Sequence, residues 1–235
     1  SKYAKKKHNC DIIFVPGGTF FGSFKPFVTM SRNMLPFELK EAFRFKSWIT
    51  RAKFVFLFLT QTLTFKRAKA VIFLTKYAKD VVLKSINLQK SSHTIIPHGI
   101  DSDFTNLPKT QKNINTYTGI VPYKFLYVSV INAYKHQWNV SEAILKLKDE
   151  GFNITLDLIG PSTYDGLKKL NKVINSDSNK NNTINYLGPM KHDDLKKYYR
   201  NSDGFIFASS CENMPNILIE AMTSGLPIAS YFMGP

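Results

Sequence analysis

Residues 204–230, GFIFASSCENMPNILIEAMTSGLPIAS, constrain this chain more than any other stretch. The apolar run 204–208 predicts a buried strand, and the polar residues 209–216 predict a loop. Helical spacing over 217–223, a glycine at 225 where a helix C-cap falls, and the apolar residues 226–229 complete a strand–loop–helix–strand unit. Such a unit builds a parallel sheet. In an open α/β sheet the loop leaving the strand's carboxyl end faces the ligand crevice. Glu212 and Glu220 bracket this loop and the first turns of the helix, so chemistry is expected here.

The same alternation runs upstream. Strands are expected over 11–15, 70–74, 94–96, 125–131, 154–159 and 184–187, and helices over 75–85, 138–148, 167–174 and 192–200, with 175–182 a loop. Thr75 is the expected N-cap of the helix it precedes. Residues 102–118 are rich in Asn, Thr, Lys and Pro and carry no apolar period, so they read as a connection. The predicted class is α/β, with two Rossmann-like, doubly wound parallel-sheet domains: 1–104, a linker over 105–120, and 121–235. Ser rather than Met at position 1, and only a few residues after the last strand, lead us to expect a piece of a longer protein with both domains incomplete.

Composition narrows the class. At 43% hydrophobic and 14% aromatic the chain is a folded globular protein, which excludes wholesale disorder. Two cysteines, Cys10 and Cys211, supply neither metal-ligand spacing nor a disulfide framework, so a reduced, cytoplasmic setting is expected. The basic start SKYAKKKHNC has no apolar core and is not a signal peptide. The net charge of +15 admits an anionic membrane surface, an anionic small substrate or merely scattered surface charge. Lys and Arg are spread along the chain with no aromatic-interleaved motif, so no nucleic-acid partner is expected. The run FVFLFL at 54–59 is too short to span a bilayer and reads as a core helix or as one facing a membrane surface.

The candidate residues each carry two readings at this point. Glu212 and Glu220 either grip ligand hydroxyls or serve as a helix cap and a surface charge. Lys135 follows a strand and precedes the helix near Gln137, where a lysine and the helix dipole together suit a diphosphate; a lone lysine is also an ordinary surface residue. His98, on a Pro-His-Gly turn, faces a cleft or is structural. Gly17 and Gly18 after the first strand mark either a ligand's close approach or a tight turn. Ser31, Arg32 and Asn33 line a cleft or cap the following helix. The histidines show no metal-site spacing, and Asp101-Ser102-Asp103 lies in the connection, so no metal and no cofactor are expected. There is no P-loop, GxGxxG or HExxH.

Taken together, SSCENMPNILIEAMTSGLPIAS resembles the paired-glutamate signature of retaining GT-B glycosyltransferases of family 4, the glycosyl transferase group 1 type. The strand and helix AVIFLTKYAKDVV, the exit segment IIPHGID and the position of Tyr134-Lys135 are similar to that family in the same order. The resemblance implies transfer of a sugar from a nucleotide-diphosphate donor to a glycan or lipid-linked acceptor, with retention and without metal. It implies Glu212 and Lys135 as the catalytic pair. On the donor side stand Glu220, Asn213, Met214, Asn216, His98 and Gly99, and on the acceptor side Gly17, Gly18, Ser31 and Asn33. A cytoplasmic protein in peripheral contact with the inner membrane face would fit. Val130 stands where the family commonly has arginine, and the family's glycine-rich first loop and final helices are not in this sequence. The alternatives are a nucleotide-sugar epimerase of the same fold and a non-catalytic nucleotide-sugar-binding module.

Overall fold

The computed structural model describes residues 9–45, 47–118, 120–176 and 183–231; the basic first eight residues and most of the expected 175–182 loop lie outside these. The chain forms two compact units. One comprises residues 9–99 and takes in Cys211–Met214; the other comprises Ile100–Ser210 with residues 215–231.

The first unit holds a four-stranded sheet, β1 (Ile13–Val15), β2 (Phe27–Ser31), β3 (Ala70–Phe73) and β4 (Ser92–Ile95), all parallel and ordered as in the sequence. Three helices connect the strands: α1 (Leu39–Ala42), α2 (Trp48–Arg67) and α3 (Lys76–Ser85). Thr75 caps α3 as its sequence position predicts, its hydroxyl accepting from Ala78 N at 3.0 Å. Phe27, Phe65, Val71, Phe73, Ala78 and Val82 are buried, so the core lies between the sheet and one side of α2 and α3.

α2 has an unusual orientation. Its fully buried residues are Thr60, Gln61, Thr64 and Phe65, while Val55, Phe56, Leu59 and Leu63 face out. The hydroxyls of Thr60 and Thr64 are satisfied, whereas Thr62 Oγ1 is buried with no hydrogen-bond partner among the described residues. Thr64 Oγ1 donates to Thr60 O at 2.8 Å and accepts from Phe20 N at 3.0 Å, and Thr60 Oγ1 donates to Leu57 O at 3.1 Å. An aromatic set, Phe37 against Phe58 and Phe65, supplies the apolar contact on this side. The run 54–59 is therefore helical, but it is only in part a core helix.

The second unit holds five parallel strands in the order β7-β6-β5-β8-β9: β5 (Tyr123–Val128), β6 (Ile154–Ile159), β7 (Ile184–Gly188), β8 (Gly204–Phe207) and β9 (Ile228–Ser230). The crossovers are α4 (Gln137–Asp149), α5 (Tyr164–Ile174), α6 (His192–Asn201) and α7 (Asn216–Thr223). Strands buried on both faces alternate their loyalties. Leu126 and Val128 enter a cluster with Leu195, Tyr199 and Ala221, while Tyr127 between them enters one with Ile144, Leu145 and Leu170. Each fully buried aliphatic side chain contributes about 1.5–3 kcal/mol, so the two clusters dominate the unit's cohesion.

The stretch expected as a linker is packed onto this unit. Phe104 is buried in the first of the two clusters, Asn106 N donates to Thr223 O at 3.1 Å, and Lys109 Nζ donates to Ser202 O at 2.7 Å. Polar composition hid this, because the attachment runs through one aromatic and backbone carbonyls rather than an apolar period.

Candidate functional site

The strand order locates the site. From β5 the chain winds outward through β6 to β7, then returns to β8 on β5's other flank and continues to β9. The loops leaving the carboxyl ends of β5 and β8 therefore diverge, which is the topological switch point where open α/β sheets bind ligands.

Lys135 lies in the β5 loop. A short 3₁₀ turn, Ala133–Lys135, is set up by Asn132, whose side chain accepts from Ala133 N. His136 follows in the left-handed region at φ 58°, and α4 starts at Gln137. Lys135 is only 6% exposed. Its ammonium lies 5.2 Å from the Tyr134 ring centre and 6.0 Å from that of Phe207 at the end of β8, and Tyr127 Oη donates to its carbonyl at 2.7 Å. A buried cation directly before a helix N-terminus suits an anion in both charge and backbone dipole.

The β8 loop is tied to the same point. Ser210 N donates to Tyr134 O at 2.9 Å, and Ser210 Oγ lies 3.1 Å from His136 Nε2. Gln137, fully buried, donates through Nε2 to Ser129 Oγ at 2.6 Å and Val130 O at 2.8 Å. Val130 thus serves the loop through its carbonyl, whatever its side chain lacks. Gly160, after β6, has φ 144°, and a Cβ there would lie 2.1 Å from Ser129 O. Only glycine lets β6 end against the β5 loop.

Glu220 is on α7 and only 3% exposed. Oε1 lies 2.9 Å from His192 Nε2, and Oε2 accepts from Tyr199 Oη at 2.9 Å. Burial first, and then the Glu220 carboxylate, push the Tyr199 hydroxyl far above its ordinary pKa, so Tyr199 stays a donor at any working pH. A buried carboxylate held by two donors retains lone pairs for a ligand's hydroxyls. Asn216 is the first residue of α7 and Pro215 its N-cap, so Glu212 does not cap this helix.

The other candidates belong to the first unit. Asn213 is buried, its Nδ2 donates to Ser31 O at 2.8 Å, and its Oδ1 accepts from Thr75 Oγ1 at 3.3 Å. His98 N donates to Met214 Sδ at 3.2 Å. Burial, then the Arg32 charge, lower the His98 pKa from its ordinary value. Among the described residues, Ser31 Oγ is a buried hydroxyl with no hydrogen-bond partner. Gly18, at φ 74°, is explained by the turn after β1, whereas a Cβ at Gly17 or Gly99 would meet open space. Asn33 Oδ1 accepts from Leu35 N, a local turn contact. The first unit thus brings together Ser31, His98, Asn213 and Met214. Gly17, Gly18, Gly99 and Asn33 make no described side-chain contact with that group. Asp101 and Asp103, the letters of a DxD motif, both face Lys196 Nζ, at 3.8 and 2.6 Å.

Residues 119–235 match the family model described as glycosyl transferases group 1. Over these residues the chain belongs to the glycosyl transferases group 1. The group 1 segment contains the whole switch point and Glu220. An uncharacterized glycosyltransferase, MJ1059 of Methanocaldococcus jannaschii, is 24% identical over 168 residues, covering 71% of this chain and 40% of that protein. Sucrose-phosphate synthase from Thermosynechococcus elongatus superposes with a TM-score of 0.74 at 16% identity, over 99% of this chain and 59% of that one. Anabaena HepE, in complex with UDP and glucose, gives 0.70 at 17% identity, over 99% of this chain and 62% of that one. At such identities the likeness shows the fold, which is the GT-B one with two parallel α/β sheets. The chain spans less than two thirds of each of these proteins.

The sequence assigns no role to His136, Gln137, Ser210, His192 and Tyr199, and names Tyr134 only beside Lys135. One signal was available: His192, Leu195 and Tyr199 stand at i, i+3 and i+7 and so share one face of α6.

Proposed function

We propose that the protein is a glycosyltransferase that moves a sugar from a nucleoside-diphosphate donor to a glycan or lipid-linked acceptor, with retention and without a metal ion. The carrying observation is Lys135, a buried cation at the switch point immediately before α4. As the bond between the sugar's anomeric carbon and the diphosphate breaks, negative charge grows on the leaving oxygen. The Lys135 ammonium and the first N–H groups of α4 oppose that charge from fixed positions, with no reorganisation during the step. Glu220, oriented by His192 and Tyr199, accepts from the ribose hydroxyls and fixes the donor's register. Glu212 and the backbone N–H groups of Asn213, Met214 and Asn216 hold the sugar, and the acceptor oxygen attacks on the face the leaving group departs from. His98 and Gly99 border the donor, and Gly17, Gly18, Ser31 and Asn33 stand on the acceptor side. The UDP and glucose bound by HepE support the donor class.

Cytoplasmic residence at the inner membrane face fits this reading, because nucleotide sugars are cytoplasmic and a lipid-linked acceptor sits in the bilayer. Among the described residues no helix is long and apolar enough to cross a membrane.

The test is a thermal-shift panel of uridine, guanosine and adenosine diphosphate sugars, followed by transfer assays with the responding donor. Stabilisation by one donor series, lost in Lys135→Ala and Glu220→Ala, supports the reading. Stabilisation without transfer to any glycan or lipid-linked acceptor makes the chain a binding module. No stabilisation by any donor removes the reading.

A further inference from the structure

The outward side of α2 is apolar over most of its length. Trp48 is 76% and Phe56 59% exposed, and Ile49, Val55, Leu59 and Leu63 are exposed with them. At 100° per residue these six fall within an arc of about 120°, along a helix of about 30 Å. A surface stripe of this kind on a folded protein marks an interaction site.

Charge decides the partner. α2 has no acidic residue and carries Arg51, Lys53, Lys66 and Arg67, all exposed. Two of these are fixed at the edges of the stripe by their own contacts. Arg51 donates to Phe45 O at 2.8 Å and to Phe43 O at 3.1 Å, and Arg67 donates to Gly22 O at 2.9 Å. The wider setting agrees. Residues 1–99 hold 18 Lys and Arg against 4 Asp and Glu, whereas residues 100–235 hold 14 against 13. Of the net +15, therefore, +14 lies in the part of the chain that carries α2. A second copy of this face would set cation rim against cation rim.

We propose that α2 lies in the plane of an anionic phospholipid bilayer, its Trp48–Leu63 stripe sunk to the headgroup–acyl boundary and its lysines on the lipid phosphates. The inward Thr60, Gln61 and Thr64 are then the consequence of one helix serving two sides. Thr60 and Thr64, whose hydroxyls pair with the helix's own backbone, face the protein, and the apolar side is left for lipid. The inference stands independently of the donor reading, since no residue of α2 is among the donor-side or acceptor-side candidates.

The experiment uses the whole chain with vesicles of phosphatidylcholine alone and of phosphatidylcholine with phosphatidylglycerol at about 7:3, by cosedimentation and by Trp emission in a Trp138→Phe background, so that Trp48 reports alone. Expected are binding to the anionic vesicles that weakens with salt, a blue shift of Trp48 on binding, and little binding to phosphatidylcholine. Leu59→Ser with Leu63→Ser, and separately Lys53→Glu with Lys66→Glu, each lower the partition coefficient at least about tenfold, with unchanged far-UV circular dichroism. Absence of binding to anionic vesicles overturns the proposal, as does binding that both double variants retain. A concentration-dependent dimer that Leu59→Ser with Leu63→Ser disperses, with no vesicle binding, overturns it in favour of a second copy.

Discussion

Tyr199→Phe is the sharpest probe of how Glu220 is held, because it deletes one hydroxyl and nothing else. The ring packs against Phe205 at 5.7 Å and Phe104 at 5.5 Å, and a phenylalanine keeps both contacts, so no cavity forms. The hydroxyl donates to Glu220 Oε2 at 2.9 Å and lies 3.2 Å from Ile217 O, in a region where Tyr199 is fully buried. A hydrogen bond to a charged acceptor is worth about 1.5–3 kcal/mol, and losing it leaves a buried carboxylate short of a donor. We expect a loss of about 2 kcal/mol and a fall in Tm of about 6 °C, read by calorimetry and by urea unfolding. His192→Ala removes the other partner, but that side chain is 57% exposed and the carboxylate then has water to turn to, so about 0.5 kcal/mol is expected. A Tyr199→Phe variant within about 0.5 kcal/mol of the parent, or a His192→Ala variant as costly as it, would refute the argument that Tyr199 holds the carboxylate. If the carboxylate's orientation serves the ribose, the same tyrosine variant binds nucleoside diphosphate about tenfold more weakly by calorimetry.

Lys135→Met keeps the apolar stem between Tyr134 and Phe207 but removes the charge; its nucleoside-diphosphate affinity is expected to fall about a hundredfold by titration calorimetry while the melting curve stays near the parent's. Gly160→Ala places a methyl against Ser129 O at a φ that alanine avoids; a loss of about 3 kcal/mol or more, or failure to accumulate as soluble protein, is expected. His98 has a folded pKa below its ordinary 6.5, so in the window below that value the unfolded chain binds more protons. Its contribution is therefore fully present above pH 6.5 and is lost as pH falls through 6.5 towards the folded value; Tm measured from pH 7.5 down to 5.5 should fall less steeply in His98→Gln.

Much of the second unit was legible because a doubly covered parallel sheet writes itself as short apolar runs alternating with helical periods. The helix at 164–174 shows where that signal fades. The sequence predicts it only from 167, whereas it starts at Tyr164 and Thr163 caps it by accepting from Gly166 N at 3.2 Å. The candidate residues were legible only as types in order. That Glu220 is buried and held by Tyr199, or that Gln137 clamps the β5 loop, depends on groups 21 and 8 residues apart meeting in space, which no local period encodes.

By itself the sequence determined most of the elements (β2 at Phe27–Ser31 is an exception), their parallel alternation, the α3 cap at Thr75 and the basic balance of the chain. Each of these follows from local periodicity, capping chemistry or counting. Tertiary structure decided the strand order β7-β6-β5-β8-β9, and with it the switch point beside which Lys135 is buried rather than left on the surface. It also decided which way α2 faces. A helix with apolar residues on every side has no periodicity to orient it, so only packing against Phe37 and the inward hydroxyls reveals the side left outside.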